Sequence, residues 1–336
     1  MLFSIVIPMY NLENYIGDTL ESILKNDLSD CELLLLDDGS TDKTVEMAEL
    51  VLKEKNFGGY TIVRKKNTGV SDTRNQGIKI AKGKYIIFCD GDDFVEADMI
   101  RQVTDKLQQD VDMVLWPFYI LQEMNKRPSQ ENTKDALYSA EQMMDLHLLE
   151  GYKVRLGSFA VKRDLLIEKQ INFARECTFA EDMEFIMKCI LNSRVLQWIA
   201  SPFYCYVKRE GSLMNSYNIR RFESSRAIER VYLYLLDNNI SLHESLKEYI
   251  QNGLYILHYI YSLEGCMANI HTQKEGRKLY REIHCRYADV EKECKKKILQ
   301  MNKAPIGMSA KRVSLLKMGT YVYIQVRLIT KRIKGC

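Results

Sequence analysis

The chain has 336 residues, of which 46% are hydrophobic and 28% charged, with only 5 prolines and 17 glycines. This composition is typical of an ordered globular protein and excludes a disordered or fibrous one. Because the length exceeds what one hydrophobic core usually supports, we expect one large domain and a smaller element.

The formal net charge of +3 is unevenly distributed along the chain. Eleven lysines and arginines and no acidic residue follow Glu293, which leaves a formal net charge of −8 on residues 1–293. We therefore expect an acidic body and a basic tail. The N-terminus has no basic segment or cleavage site, and the apolar run YVYIQV ends at Arg327. These features predict a cytosolic protein with neither a secretory signal nor a membrane-spanning helix.

Strand and helix patterns alternate through the first 120 residues, as in a mainly parallel sheet covered by helices on both faces. The predicted strands are FSIVIP, CELLLLD, YTIVRK and KYIIFC, followed after one more helix by VDMVLWPFYI. Strand patterns disappear from about residue 216, and apolar residues then recur at helical spacing. The sequence thus predicts an α/β domain over residues 1–215, a helical C-terminal element over 216–303 and a basic amphipathic tail over 304–336.

Polar side chains follow each of the first four predicted strands. Because ligands of open α/β sheets bind beyond the carboxyl ends of the strands, these side chains are expected to share one crevice. They are Tyr10 and Asn11, then Asp37 and Asp38, then Asn67 and Gly69, and finally Asp90, Asp92 and Asp93.

The segment CDGDD places three carboxylates within four residues, where they repel one another unless a cation lies among them. The chain lacks both the Gly-x-Gly-x-x-Gly and the P-loop patterns, so a phosphate must be held in another way. Mg²⁺ typically binds one or two carboxylates together with substrate oxygens. We therefore expect Mg²⁺ or Mn²⁺ at Asp90 and Asp92, bridging a nucleotide diphosphate. A helix N-cap before VEADMI is a structural explanation that accounts for Asp93 but not for the other two.

Three blocks, SIVIPMYNLENYI, LLLLDDGSTDKT and KKNTGVSDTRNQGIKIAKGKYIIFCDGDD, resemble in order and spacing the signature blocks of family-2 glycosyltransferases with the GT-A fold. The resemblance is dense over roughly residues 3–100, is renewed at FAEDMEFIMK and YCYVKREGSLM, and fades after about residue 215. It implies a mixed, mainly parallel sheet with a Rossmann-like nucleotide-binding half. It also implies transfer of a sugar from a nucleotide diphosphate donor, usually a UDP-sugar, with inversion at the anomeric carbon.

The resemblance implies roles for individual residues on the donor side. Asp38 matches the residue that accepts a hydrogen bond from the base, and Asp92 matches the direct metal ligand, with Asp90 shared between ribose and metal. The other matched positions contact the base or line the nucleotide and diphosphate, and are Pro8, Tyr10, Asn67, Gly69, Arg74 and Asn75. Thr73 stands where the family commonly has alanine. Asp37 and Asp42 remain explicable as turn and helix-start residues.

Two further segments match on the leaving-group and acceptor sides. Lys208, Arg209 and Ser212 match a segment near the donor diphosphate, where they would screen charge on the leaving group. An inverting displacement also needs a base on the opposite face of the sugar. Glu181 and Asp182 resemble the acidic acceptor-side motif of the family, which implies that Asp182 is the base and Glu181 an orienting or acceptor-contacting residue. A helix N-terminus also favours acidic residues, so a structural explanation stays open for this pair.

The basic tail has three interpretations: binding to nucleic acid, to a membrane surface or to a protein surface. Scattered aromatic residues and the lack of a recognition fold argue against nucleic acid. One helical stripe is formed by Leu315, Met318, Val322, Val326, Ile329 and Ile333. Such a helix could lie on anionic lipid, although Tyr321 and Ile324 interrupt its basic face. Packing of the tail onto the acidic body is the alternative.

The sequence as a whole predicts a metal-dependent inverting glycosyltransferase that builds cell-surface polysaccharide. Its donor would be a nucleotide sugar, and its acceptor a glycan or lipid-linked glycan at the inner face of the plasma membrane. A metal-dependent nucleotidyltransferase is one alternative, but it leaves Glu181 and Asp182 without a role. A catalytically inactive nucleotide-sugar-binding module is the other, and the intact Asp38, Asp92 and Asp182 argue against it.

Overall fold

The computed structural model describes residues 1–122, 125–175, 177, 179–209, 217–268, 270–301, 303–306 and 308–334, with side chains up to Leu328. The chain divides into two compact units. The first unit contains Met1–Glu176 and Phe185–Arg209, and the second contains Cys177–Glu184 and Glu210–Cys336.

The first unit is an α/β structure, as the sequence predicts. Its strands are β1 (Phe3–Met9), β2 (Cys31–Asp37), β3 (Tyr60–Arg64), β4 (Tyr85–Phe88), β5 (Phe94–Val95), β6 (Met113–Leu115), β7 (Phe118–Gln122), β8 (Asn125–Pro128), β9 (Ala136–Tyr138), β10 (Phe159–Lys162), β11 (Leu196–Trp198) and β12 (Tyr204–Lys208). Its helices are α1 (Ile16–Ile23), α2 (Thr44–Glu54), α3 (Val70–Ile80), α4 (Met99–Lys106), α5 (Ala140–Leu148), α6 (Arg163–Glu168) and most of α7 (Glu181–Asn192).

Two sheets organise the first unit. The larger sheet has the strand order β3-β2-β1-β4-β10-β6-β11-β9, in which β1 to β4 are parallel and β10 runs antiparallel to both its neighbours. Every residue of β1 and β2 is buried, as expected for strands covered by helices on both faces. The smaller sheet has the order β5-β12-β7-β8.

The structure corrects two details of the element prediction. The run VDMVLWPFYI is not one strand: β6 joins the larger sheet and β7 the smaller one, and Pro117, which has no backbone N–H to donate, lies between them. The acidic turn, residues 90–93, does not cap a helix either. Asp93 is followed by the short strand β5, and α4 begins only at Met99, after Asp98.

The second unit is helical, which confirms the predicted helical C-terminal region. Its helices are α8 (Glu223–Asp237), α9 (Glu244–Glu248), α10 (Tyr255–Met267), α11 (Gln273–Arg286), α12 (Ala288–Gln300), α13 (Ala310–Lys317) and α14 (Thr320–Lys334), with a 3-10 turn at Ile219–Phe222 and a π-helical turn at Tyr249–Leu254.

The tail forms two helices instead of the one continuous stripe expected from the sequence. Gly319 adopts a φ of +113°, a conformation that favours glycine, and it separates α13 from α14. Met318 of the expected stripe is 66% exposed, whereas Ile324 is fully buried beside Gly276 of α11. The buried residues of the two tail helices are Val313, Leu316, Tyr323, Ile324 and Leu328.

Polar contacts also attach the tail to α10. The carboxylate of Glu264 accepts a hydrogen bond from the Tyr323 hydroxyl at 2.8 Å and lies 3.3 Å from Arg312 and 3.2 Å from Arg327. Two of the tail arginines therefore share one carboxylate within the second unit. In the part of the chain that the structure describes, no helix is both long and apolar enough to cross a bilayer.

Candidate functional site

Four parallel strands end at one edge of the larger sheet, where the sequence predicts the donor crevice. They are adjacent in the order β3-β2-β1-β4. The residues just beyond their carboxyl ends include Tyr10, Asp38, Lys65 and Asp90. This common edge is the place where open α/β sheets bind ligands.

The end of β1 supports the acidic turn directly. Pro8 is buried within the strand, and Tyr10, just after it, is 49% exposed. A Cβ atom added at Gly91 would lie 3.3 Å from the carbonyl oxygen of Pro8 and 2.8 Å from a methyl group of Leu12. A side chain at position 91 would therefore crowd β1 and Leu12, and glycine lets the acidic turn pack closely against β1.

Asp37 and Asp42 have structural roles. The carboxylate of Asp42 accepts hydrogen bonds from the backbone N–H groups of Glu13 at 3.1 Å and Thr44 at 3.0 Å, which ties the loop after β1 to the start of α2. Asp37 is buried and accepts from the backbone N–H of Ser40 at 3.2 Å. These contacts support the structural explanation that the sequence left open for both residues.

Asp38 organises the loop that follows β3. Its buried carboxylate accepts hydrogen bonds from the backbone N–H groups of Thr68 and Gly69, both at 2.9 Å, and forms an ion pair with Lys65. Gly69 has a φ of +94°, so the backbone conformation, and not a lack of space, favours glycine there. Lys65 was not predictable from the sequence, because no motif marks a lysine at a strand end as the partner of a distant aspartate.

Arg74 and Asn75 lie side by side on α3 but make different contacts. Arg74 is buried and donates a hydrogen bond to the Asp90 carboxylate at 2.8 Å. The Asn75 amide both donates to the carbonyl of Phe173 and accepts from its N–H, each at 2.8 Å. Asn75 thus holds the chain at Phe173, a structural role that the family resemblance did not imply. Asn67, in the preceding loop, is exposed.

The acidic turn concentrates negative charge at the end of β4. Burial, followed by repulsion from Asp90, raises the pKa of Asp92 above its ordinary value. The same two causes raise the pKa of Asp93 to about 7. The fold therefore holds three carboxylates so close together that a positive charge among them would stabilise their ionised forms.

Arg209 supplies one positive charge to this turn. Its guanidinium lies 3.3 Å from the Asp92 carboxylate and is stacked over the ring of Tyr15, 4.3 Å from the ring centroid. Lys208, the last residue of β12, is exposed. Tyr15 was not predicted as a site residue. Ser212, which the resemblance placed in the same segment, lies outside the described residues.

The carboxylates of the turn match the ligand preference of a hard divalent cation. Asp90 and Asp92 are partly exposed and offer oxygen atoms, as Mg²⁺ and Mn²⁺ prefer. Within the described ranges, no group of three His, Cys, Asp or Glu side chains is arranged to hold an ion by itself. The two aspartates thus fit an ion whose remaining ligands come from substrate and water.

Glu181 and Asp182 lie in the second unit, in the first turn of α7. Ala180, just before them, has a φ of +69°, which is strained for a residue with a Cβ atom. Two residues after Asp182, the buried Glu184 accepts hydrogen bonds from the Arg230 guanidinium at 2.6 and 2.9 Å. The first turn of α7 is therefore attached to α8 through Glu184.

Comparison with known proteins agrees with these features. Residues 4–168 match glycosyl transferase family 2. The chain is 31% identical over 220 residues to the uncharacterized glycosyltransferase EpsJ of Bacillus subtilis, which covers 63% of this chain and 62% of EpsJ. It is 26% identical over 326 residues to the putative glycosyltransferase EpsH of the same organism, which covers 95% of this chain and 91% of EpsH.

A third similar protein is TarS of Staphylococcus aureus, a poly(ribitol-phosphate) beta-N-acetylglucosaminyltransferase. It is 26% identical over 272 residues, which is 78% of this chain and 45% of TarS. The crystal structure of TarS 1-349 in complex with UDP-GlcNAc superposes with a TM-score of 0.76 at 20% identity and covers 99% of this chain and 92% of that one. Residues 4–168 therefore resemble glycosyl transferase family 2, and the chain has the GT-A type of fold.

Proposed function

We propose that this protein transfers a sugar from a UDP-sugar to an acceptor hydroxyl with inversion at the anomeric carbon. The observation that carries the proposal is the pairing of two carboxylates with two guanidinium groups at the ends of the parallel strands. Arg74 contacts Asp90, and Arg209 contacts Asp92. Carboxylates that hold a cation and arginines that bind phosphate oxygens are the groups that a nucleotide diphosphate requires.

The choice of a uridine nucleotide rests on Asp38. Its Oδ2 accepts only the N–H of Gly69 among the described contacts, which leaves that oxygen with the capacity to accept from a further donor. An imide N–H of uracil could donate to that oxygen. The GT-A relative TarS was crystallised with UDP-GlcNAc, which supports the same donor class here.

Asp90 and Asp92 would hold Mg²⁺ or Mn²⁺ in this proposal. The ion would supply positive charge to neutralise the diphosphate of the donor as it leaves. Arg209 would then exchange its contact with Asp92 for one with a phosphate oxygen. Arg74 would keep Asp90 oriented, because it is buried and fixed at 2.8 Å.

Asp182 would act as the base and Glu181 would orient it or contact the acceptor. The strained Ala180 supports this assignment, because such strain persists where the surrounding structure imposes a conformation, often at active sites. We propose a cell-surface glycan or lipid-linked glycan as the acceptor, in keeping with the polymer named for TarS. Exposed lysines of the tail, such as Lys311 and Lys317, would then face the anionic inner leaflet.

The test is a panel of nucleotide sugars with Mg²⁺, Mn²⁺ or chelator, measured by thermal stabilisation and by release of UDP. A ligand that binds only the native state raises the melting temperature. We expect metal-dependent stabilisation by a UDP-sugar, which Asp92→Asn abolishes together with turnover. Asp105→Asn, an exposed carboxylate of α4, is the matched control and should change neither. Metal-dependent binding that persists in Asp92→Asn would contradict the metal assignment, and binding without any turnover would favour the inactive module.

A further inference from the structure

A second cleft, in the helical unit, is not part of the donor site. It lies between α11, α12 and the turn that joins α13 to α14, and has a volume of about 540 Å³. Its deeper residues are the apolar Ile298 and Leu316, together with Tyr259, whose hydroxyl is hydrogen-bonded to Thr320 at 2.7 Å. This volume lies in the range of small-molecule sites.

One wall of the cleft is aromatic. The rings of Tyr280 and Tyr321 meet at 62° with their centroids 5.3 Å apart, and His284 lies nearly parallel to Tyr280 at 5.9 Å. Tyr321 is 40% exposed. Rigid tyrosine rings provide contact area at a low entropy cost, and their hydroxyl groups stay available for hydrogen bonds. Such a wall suits a ligand with an apolar face and hydroxyl groups, as a sugar ring has.

The other wall, on α12, is basic. Lys292 and Lys295 are three residues apart on one helical face, are exposed, and have no ion-pair or hydrogen-bond partner among the described residues. Like charges at this spacing destabilise a helix slightly, and an anion between them would relieve that repulsion. The carboxylate of the same wall, Glu291, lies 3.4 Å from His284 and offers an acceptor to hydroxyl groups.

We propose that this cleft binds a polyhydroxylated anion, namely sugar or polyol units that carry phosphate or carboxylate groups. The hydroxyl-bearing part would lie on Tyr280 and Tyr321, and the anionic group would lie at Lys292 and Lys295. If the proposed function is correct, such a ligand would be a segment of the acceptor glycan. A bilayer surface fits less well, because the aromatic and basic groups line a concave cleft.

The experiment is isothermal titration of the full chain with phosphorylated maltotetraose, unmodified maltotetraose and inorganic phosphate. We expect the phosphorylated sugar to bind at least tenfold more tightly than either other probe. Lys292→Ala with Lys295→Ala, or Tyr321→Ala alone, should weaken it at least tenfold. The matched control is Lys274→Ala with Lys278→Ala, which removes two exposed lysines of α11 outside the cleft and should change affinity less than twofold.

Several outcomes would overturn the proposal. These are the absence of binding, equal binding of inorganic phosphate, and an equal loss in the control pair, which would indicate only a diffuse effect of charge. Binding to vesicles of phosphatidylglycerol that depends on Lys292 and Lys295, without binding of the phosphorylated sugar, would assign the cleft to a membrane instead. Stabilisation by UDP-sugar should be unchanged in the cleft variants, so a failure of the donor-site proposal and a failure of this one are measured separately.

Discussion

The buried carboxylate of Asp93 accepts a hydrogen bond from the buried hydroxyl of Tyr204, with 2.5 Å between the two oxygen atoms. It also accepts from the backbone N–H of Val207 at 2.8 Å. The acidic turn is thereby attached to β12, the strand that leads to Arg209. Since Arg209 in turn contacts Asp92, the bond between Asp93 and Tyr204 fixes the relative position of a proposed metal ligand and a proposed phosphate ligand.

Tyr204→Phe should therefore weaken both stability and donor binding. The substitution removes one of the two hydrogen bonds to a buried carboxylate, at a cost of about 1.5–3 kcal/mol in the free energy of unfolding. Urea denaturation measures this change, and titration with a UDP-sugar measures the accompanying loss of affinity. Tyr60→Phe is the control, because Tyr60 is 36% exposed and its hydroxyl has no hydrogen-bond partner among the described residues. A stability equal to that of the control would show that the bond has no net effect.

The contact between Asp93 and Tyr204 is of a kind that cannot be predicted from the sequence alone. The first four strands and their helices were predictable because each depends on apolar periodicity within a short segment. The partner of Asp93 is 111 residues away, and Phe173, the partner of Asn75, is 98 residues away. Neither pairing leaves a local pattern, so Asp93 was interpreted as a helix cap and Asn75 as a ligand contact.

The tail illustrates a different difficulty. The predicted apolar stripe requires one uninterrupted helix, but α13 ends before Gly319 and a second helix follows it. The chain then buries Ile324, which the sequence pattern places on the basic face, whereas Tyr321 of the same face stays 40% exposed. A single glycine inside an amphipathic run is compatible with either outcome, because tertiary packing decides whether the helix continues.

Asp182→Asn should separate catalysis from binding. If Asp182 is the base, the variant keeps its affinity for the donor but transfers sugar at least about 10²-fold more slowly. Loss of one acidic group from a helix N-terminus costs only about 0.3–1 kcal/mol, so the melting temperature should change little. Steady-state kinetics with donor binding measured in parallel provide the test. Glu168→Gln, an exposed carboxylate of α6, is the control. Near-normal transfer by Asp182→Asn would move the role to another residue, with Glu181 the first to replace.

His258 of α10 should make the stability of the helical unit depend on pH. Burial lowers its pKa to about 4, whereas an unfolded chain has a histidine pKa of about 6.5. Between these values the unfolded state binds the proton more readily than the folded state. The contribution of neutral His258 to the free energy of unfolding is therefore complete above pH 6.5 and is lost as the pH falls towards 4. The loss amounts to about 3 kcal/mol at pH 4.

Denaturation midpoints of the wild type and His258→Gln, measured from pH 7.5 to pH 4.5, test this expectation. The variant should lose less stability than the wild type over that interval, even if it is less stable at pH 7.5. His271→Gln, an exposed histidine of the same unit, should follow the wild-type curve. Parallel curves for His258→Gln and the wild type would show that protonation of His258 does not contribute.

Removal of the tail should damage the helical unit, because α13 and α14 are part of its core. Deleting residues 310–336 would remove the buried Tyr323 and Leu328 and would leave Glu264 without the three donors that it has in the structure. We expect a lower melting temperature, increased binding of a hydrophobic dye and reduced solubility. Loss of large buried side chains typically costs several kcal/mol each.

Glu264→Gln in the full chain tests the same contacts with a smaller change than this deletion. The amide can still accept from Tyr323, but it no longer attracts Arg312 and Arg327 by its charge. We expect a loss of about 1 kcal/mol in the free energy of unfolding, because both arginines are partly exposed. If the tail served only to bind anionic lipid, both variants would keep the wild-type melting temperature, and the deletion alone would release the protein from phosphatidylglycerol vesicles. Because the tail side chains are already used in packing, we expect both variants to have a lower melting temperature than the wild type. Any vesicle binding by the full chain should depend on exposed lysines such as Lys311 and Lys317.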